Sequence, residues 1–150
     1  GLVYTPSTGL LWVQTDDGAY TDVTGCMLLA AIPGEVGDGR TVTVNNSLGG
    51  NTGTEQTFIG AVLGEARLRR FLVGPPGCEV TGITETADGR TLFVNIQHPG
   101  ENTAALGANA DFTHTSQWPS NAGAAAYGPG NRPRSATIAI TRTDGGVIGV

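Results

Sequence analysis

The sequence predicts an all-β fold, and three observations support that prediction. Glycine accounts for 24 of the 150 residues, well above its usual share of about 7%, which is typical of a chain rich in tight turns. The apolar runs are short and end at Gly or Pro, as strands do. The best helix candidate, residues 104–110, is short and contains glycine and asparagine, which disfavours a stable helix.

The predicted strands follow one another along the chain, each bounded by turn residues. In order they are 1–4, 10–15, 26–32, 38–45, 67–73, 80–86, 91–96, 136–142 and 147–150. The clearest pair is the hairpin of 80–86 and 91–96, since both arms alternate in polarity and an Asp88-Gly89 turn links them. Residues 102–134 are rich in Gly, Ala, Asn, Ser and Pro. We expect them to form a long ordered loop.

The length of the chain suits one domain with a buried core. Its expected segments are strand repeats in 1–64, a hairpin in 65–101, the loop in 102–134 and C-terminal strands in 135–150. Because the sequence opens on strand-like residues without an initiator methionine, we expect it to be part of a longer polypeptide.

The charge balance excludes some classes of partner. The net charge is -5 and the pI is about 4.8, so the basic footprint of a nucleic-acid-binding protein is missing. An acidic chain suits cation binding better. The sequence has no apolar run near 18 residues, no signal segment and no lipidation motif, which argues against membrane insertion.

The two cysteines, Cys26 and Cys78, lie far apart and outside any C-x-x-C spacing, so no zinc site is indicated. The sequence leaves two readings open. A disulfide is one, in an oxidising compartment. Two separate buried thiols are the other.

A repeated sequence motif indicates internal repetition. Asp-Gly-Arg-Thr-x-x-Val-Asn occurs at 38–45 and again 50 residues later at 88–95, although so common a turn motif can also recur by chance. Repeats of roughly 40 to 50 residues, with about four short strands each, are typical of β-propellers. The chain would then supply about three blades, fewer than the roughly four to eight of a closed propeller. The open edges would be covered by the remainder of a propeller chain or by another copy of this one.

Several collinear segments resemble the C-terminal part of the PhoX family of alkaline phosphatases. They are 11–16, 70–82, 88–101, 132–137 and 144–149. The resemblance implies a six-bladed propeller that is exported by the twin-arginine route and is periplasmic or secreted. It also implies hydrolysis of phosphomonoesters with calcium and iron as cofactors in the central channel.

Two carboxylates are predicted metal ligands. Glu79 lies between a Gly-Pro-Pro-Gly turn and a strand, where a propeller would place its side chain at the channel mouth, and it is the first candidate for a calcium ligand. Asp16 ends the strand that contains Trp12, and it or Asp17 is a second candidate. The alternative for Glu79 is a solvated turn carboxylate. For the Asp pair it is a structural role in an Asp-Gly turn.

Three residues are predicted to bind the phosphate substrate. His98 and Glu101 belong to a His-Pro-Gly-Glu turn that could aim either side chain at substrate. Arg134, like Arg132, flanks Pro133 before the last strand, and arginine is a natural bidentate partner of phosphate. The alternatives are hydrogen bonds that anchor the loop and ordinary surface charge.

Three functions remain in play at the level of sequence. The leading one is a C-terminal portion of a PhoX-like metal-dependent phosphomonoesterase that contributes part of the metal and phosphate site and is inactive alone. The second is a non-catalytic, structural or self-assembling extracellular β protein. The third is a calcium-stabilised binding module.

Overall fold

The computed structural model describes residues 1–16, 24–33, 38–60, 64–101, 116–120 and 133–150. For residues 38 and 39 it describes the backbone alone. In these ranges the chain is all-β, with nine strands and no helix. The strands are β1 (Leu2–Thr5), β2 (Leu10–Gln14), β3 (Met27–Ala31), β4 (Asp38–Leu48), β5 (Asn51–Gly60), β6 (Leu68–Val73), β7 (Glu79–Glu85), β8 (Thr91–Gln97) and β9 (Ala136–Thr141). Of the described residues, none forms a helix long and apolar enough to cross a bilayer.

The strands form three antiparallel sheets. Sheet 1 has the order β1-β2-β3-β6, sheet 2 the order β7-β8-β9, and among the described strands β4 pairs only with β5. The β7–β8 hairpin is confirmed, and its register shifts between Thr81 and Ile83. Gly82, with a φ of 41°, occupies that shift, as glycine commonly does at a β-bulge.

The core lies between sheets 1 and 2 and follows from the alternation of their strands. On β8 the buried residues are Leu92, Val94 and Ile96, each at most 2% exposed. From sheet 1, Trp12 and Leu28 are buried to the same degree. The apolar face of each sheet therefore covers the other.

Both cysteines lie in this core and both are free thiols. Cys26 precedes β3, and its carbonyl accepts a hydrogen bond of 2.8 Å from Gly74 N. Cys78 precedes β7. Burial, and second the proximity of Cys26, raise the pKa of Cys78 to about 11, so the thiol form of Cys78 is favoured in the reduced chain.

The two copies of the repeated motif lie in different parts of the fold. The first opens β4, which belongs to a hairpin separate from both larger sheets, and the second turns into β8, the central strand of sheet 2. The 50-residue spacing therefore does not recur as one position in two equivalent sheets. Nearly every described residue of β4 and β5 is exposed, including Leu48 and Phe58.

The C-terminal segment contains one strand, β9, and the expected strand at 147–150 is a turn instead. Ile148 is 6% exposed, and its N–H donates to the carbonyl of Gly89 at 2.9 Å. Gly149 has a φ of 89°, which is unsuited to an extended strand. Residues 147–150 therefore cover one end of the core. Of the predicted loop 102–134, only 116–120 and 133–134 lie within the described residues.

Candidate metal and phosphate site

Two glycine-containing turns meet at the end of the β7–β8 hairpin. The first is the Gly-Pro-Pro-Gly turn before β7, and the second is the His-Pro-Gly-Glu turn after β8. Gly100 N donates to Pro76 O at 2.8 Å, and Glu101 N donates to Gly77 O at 3.3 Å. A Cβ on Gly77 would lie 3.1 Å from Gly100 Cα and from two backbone nitrogens. Glycine at this position allows the two turns to approach so closely.

The contact between the turns brings three predicted site residues together. Glu79 Oε1 lies 3.1 Å from His98 Nε2, and His98 Nδ1 lies 3.3 Å from Glu101 Oε2. One ligand atom from each residue falls within 4.8 Å of the other two. The side chains of Glu79 and His98 are 26% and 30% exposed, whereas Glu101 is 59% exposed. We call these residues the Glu-His-Glu cluster.

The backbone of His98 is held in an uncommon conformation. Its φ is 32°, in the left-handed region that few non-glycine residues adopt and that clusters at functional positions. Its N–H donates to Ser135 Oγ at 2.9 Å. Ser135 precedes β9, so the third strand of sheet 2 helps to fix the imidazole between the two carboxylates.

The polar atoms of the cluster fit a cation. His98 Nδ1 is shielded from solvent and has no hydrogen bond of good geometry to any residue that the structure describes, although it lies within ion-pair distance of Glu101. The imidazole lies between the two carboxylates, with Nε2 beside Glu79 and Nδ1 beside Glu101, and a metal ion is one partner that could satisfy the shielded Nδ1. Imidazole is a good ligand for iron and other transition metals, whereas calcium takes oxygen ligands. The donor set therefore suits iron better than calcium.

A shallow polar surface continues from the cluster along sheet 2. Thr81, Asn95 and Thr137 face one another across the three strands, and Thr137 Oγ1 donates to Asn95 Oδ1 at 2.7 Å. The pocket there also includes Gln97 and Ser135. Sequence reasoning did not select these residues. The only available signal was the alternation of the strands, which places 81, 95 and 97 on the face opposite the core.

The other predicted site residues lie outside the cluster. Asp16 is exposed, two residues beyond β2. It follows Thr15, whose carbonyl accepts a long hydrogen bond of 3.5 Å from Val80 N, so its backbone runs close to Glu79. Arg134 is exposed, and its N–H donates to Trp118 O at 3.1 Å. Asp17 and Arg132 fall outside the described residues.

Comparison with known proteins identifies the family of the chain. Residues 2–100 match the family model described as alkaline phosphatase PhoX, a stretch that contains Glu79 and His98 and stops one residue short of Glu101. No curated protein matches the chain significantly.

The chain is also similar to a solved structure, PhoX of Pseudomonas fluorescens in complex with vanadate, a transition state analogue. The identity is 32% and the TM-score 0.59, over 99% of this chain and 18% of that one. The chain thus spans about a fifth of that relative. On the family match and this identity, the chain belongs to the PhoX family of alkaline phosphatases.

Proposed function

We propose that the chain is the C-terminal portion of a PhoX-like, metal-dependent phosphomonoesterase and supplies part of its metal and phosphate site. The observation that carries the proposal is the Glu-His-Glu cluster, which gathers three candidate residues from two separate turns. Family membership supplies the reaction class, since the related Pseudomonas structure holds a transition state analogue. In this proposal the chain forms part of a propeller of which it would make about three blades.

Glu79 and His98 are the proposed metal ligands, and Glu101 completes the ligand set or binds and orients substrate. A bound cation would supply positive charge to the phosphoryl group being transferred. Iron fits this donor set, and calcium would need further oxygen ligands, for which Asp16 is a candidate. The remaining ligands would come from the rest of the propeller.

Arg134 is the proposed contact to a phosphate oxygen. It immediately precedes Ser135, the residue that accepts the hydrogen bond from His98 N, so its backbone lies at the same end of sheet 2. The guanidinium could then approach a phosphoryl group held at the cluster. The proposal includes export to the periplasm or the medium, as family membership suggests.

The test compares two preparations, the 150-residue chain and a PhoX-length polypeptide that carries it. We expect hydrolysis of p-nitrophenyl phosphate, with bound iron and calcium, only by the longer polypeptide. Glu79→Gln should lower the iron content and the activity at least about tenfold. The matched control Glu55→Gln, on the exposed strand β5, should leave both unchanged.

Two results would contradict the proposal. Metal-dependent turnover by the 150-residue chain alone would show that the site is complete and not partial. If Glu79→Gln kept full activity and metal content, the cluster would not be part of the metal site. A metal-free assembly of the chain would favour the structural alternative, for which the exposed β4–β5 hairpin offers a surface. Metal binding without hydrolysis in the longer polypeptide would favour the binding module.

A further inference from the structure

We propose that Cys26 and Cys78 form a disulfide bond when the chain folds in an oxidising environment. The inference is independent of the proposed phosphatase activity. It rests on the backbone pairing of β3 with β6 and on the space left by one glycine, Gly74.

The pairing places Cys26 directly across from Gly74. Met27 faces Val73 in the β3–β6 ladder, and the next pair outward continues the ladder through the 2.8 Å hydrogen bond from Gly74 N to Cys26 O. Residues opposite each other in an antiparallel pair direct their Cβ atoms to the same face, about 4.5–5.5 Å apart. A side chain at position 74 would therefore lie beside the thiol of Cys26.

The sulfur of Cys78 occupies that position. A Cβ built on Gly74 would lie only 2.3 Å from Cys78 Sγ, so the sulfur fills the place of the missing side chain. Cys78 Sγ therefore takes the place of the cross-strand neighbour of Cys26, a position whose Cβ would lie about 5 Å from Cys26 Cβ. A disulfide requires Cβ atoms about 3.5–4.5 Å apart. We expect rotation of the two cysteine side chains, with a small shift of the turn before β7, to bring the sulfurs into bonding distance.

Burial determines when the bond can form. Cys26 is 6% exposed and Cys78 is 4% exposed, so an oxidant reaches them most easily before the two sheets have closed. The expected oxidant is a small-molecule or protein disulfide. One cysteine thiolate attacks it, forming a mixed disulfide and releasing one thiol. The second cysteine then displaces the other thiol, so that two protons and two electrons leave the pair and the oxidant is reduced to two thiols.

The experiment measures the disulfide equilibrium of the 150-residue chain in glutathione redox buffers, in native buffer and again in concentrated guanidinium chloride. Free thiols are trapped by alkylation and counted by intact mass. If folding brings the sulfurs together, the equilibrium constant for the intramolecular disulfide should be at least about tenfold higher in native buffer. Peptide mapping without reduction should then recover Cys26 joined to Cys78.

Single-cysteine variants provide the controls. Cys26→Ser and Cys78→Ser each leave one thiol, and each should be recovered as that thiol or as a mixed disulfide with glutathione. The proposal is overturned if the equilibrium constants in native buffer and in denaturant are equal. It is overturned equally if the wild-type chain keeps two free thiols in the oxidising buffer or forms only intermolecular bonds.

Discussion

The substitution Gly74→Ala tests the packing on which the cysteine pair depends. The φ of Gly74 lies outside the left-handed region, so alanine meets no backbone strain there and only the space around its methyl group matters. That methyl would lie 2.3 Å from Cys78 Sγ, with Cys26 O at 3.2 Å and Val80 Cγ2 at 3.4 Å on its other sides. Ordinary contacts lie near 3.5–4.0 Å, so the sulfur has to move by more than about 1 Å.

The expected cost is that of overpacking a core, about 1–3 kcal/mol of the free energy of unfolding. With an m-value of about 1–3 kcal/mol per molar in urea, the unfolding midpoint of the reduced chain should fall by roughly 1 M. Urea unfolding followed by tryptophan fluorescence measures this. Gly53→Ala is the matched control, because a Cβ on Gly53 meets nothing within 4 Å and the change should stay within about 0.5 kcal/mol.

A double-mutant cycle identifies the atom responsible. In a Cys78→Ala background the sulfur is gone, so Gly74→Ala should cost about 1–2 kcal/mol less than it does beside Cys78. An equal cost in both backgrounds would refute the reasoning. So would a Gly74→Ala chain as stable as the Gly53→Ala control.

Three further predictions follow from other contacts. The guanidinium of Arg142, and second the N–H of Gly146, lower the pKa of Asp144 from 3.8 to about 2. The lowered pKa stabilises the fold at pH values above the pKa of Asp144 in the unfolded chain, and this stabilisation is lost as the pH falls towards 2. Arg142→Gln should therefore raise the Asp144 midpoint in an NMR titration, and an unmoved midpoint would contradict this. His98→Ala should lower the iron content of the PhoX-length polypeptide, since it removes the imidazole ligand of the proposed site; unchanged iron content would argue against the cluster. A disulfide between Cys26 and Cys78, which have 51 residues between them, should add about 4 kcal/mol to the free energy of unfolding, and equal urea midpoints of the oxidised and reduced chains would contradict that.

The strands were predictable because polarity alternation and turn residues are local signals. The β7–β8 hairpin with its Asp-Gly turn is the clearest case. Strand β5 was missed, since Asn51–Gly60 is polar and exposed on both faces and so carries no alternation. The failure at 147–150 has a related cause, because the burial of Ile148 against the Gly89 turn depends on a distant contact.

The sequence singled out the three residues of the cluster but could not show that they meet. Glu79, His98 and Glu101 were selected from their turns and from the family resemblance, yet only the contact between Gly77 and Gly100 reveals that they meet. Ser135 was out of reach, since its bond to His98 spans 37 residues. Hydrogen bonds of the neighbouring residues Thr15 and Ser135 bring the backbones of Asp16 and Arg134 near the cluster. The order of residues in the chain could not predict this proximity.

The Glu-His-Glu cluster belongs to a single hairpin, and only 21 residues lie between its first and last members. Contacts of such short sequence separation close quickly, because little chain entropy is lost when the loop forms. The order of events in folding follows from this. The β7–β8 hairpin can bring the imidazole and both carboxylates together before sheet 1 packs against it, so at the proposed metal site a cation could bind while the remaining strands assemble.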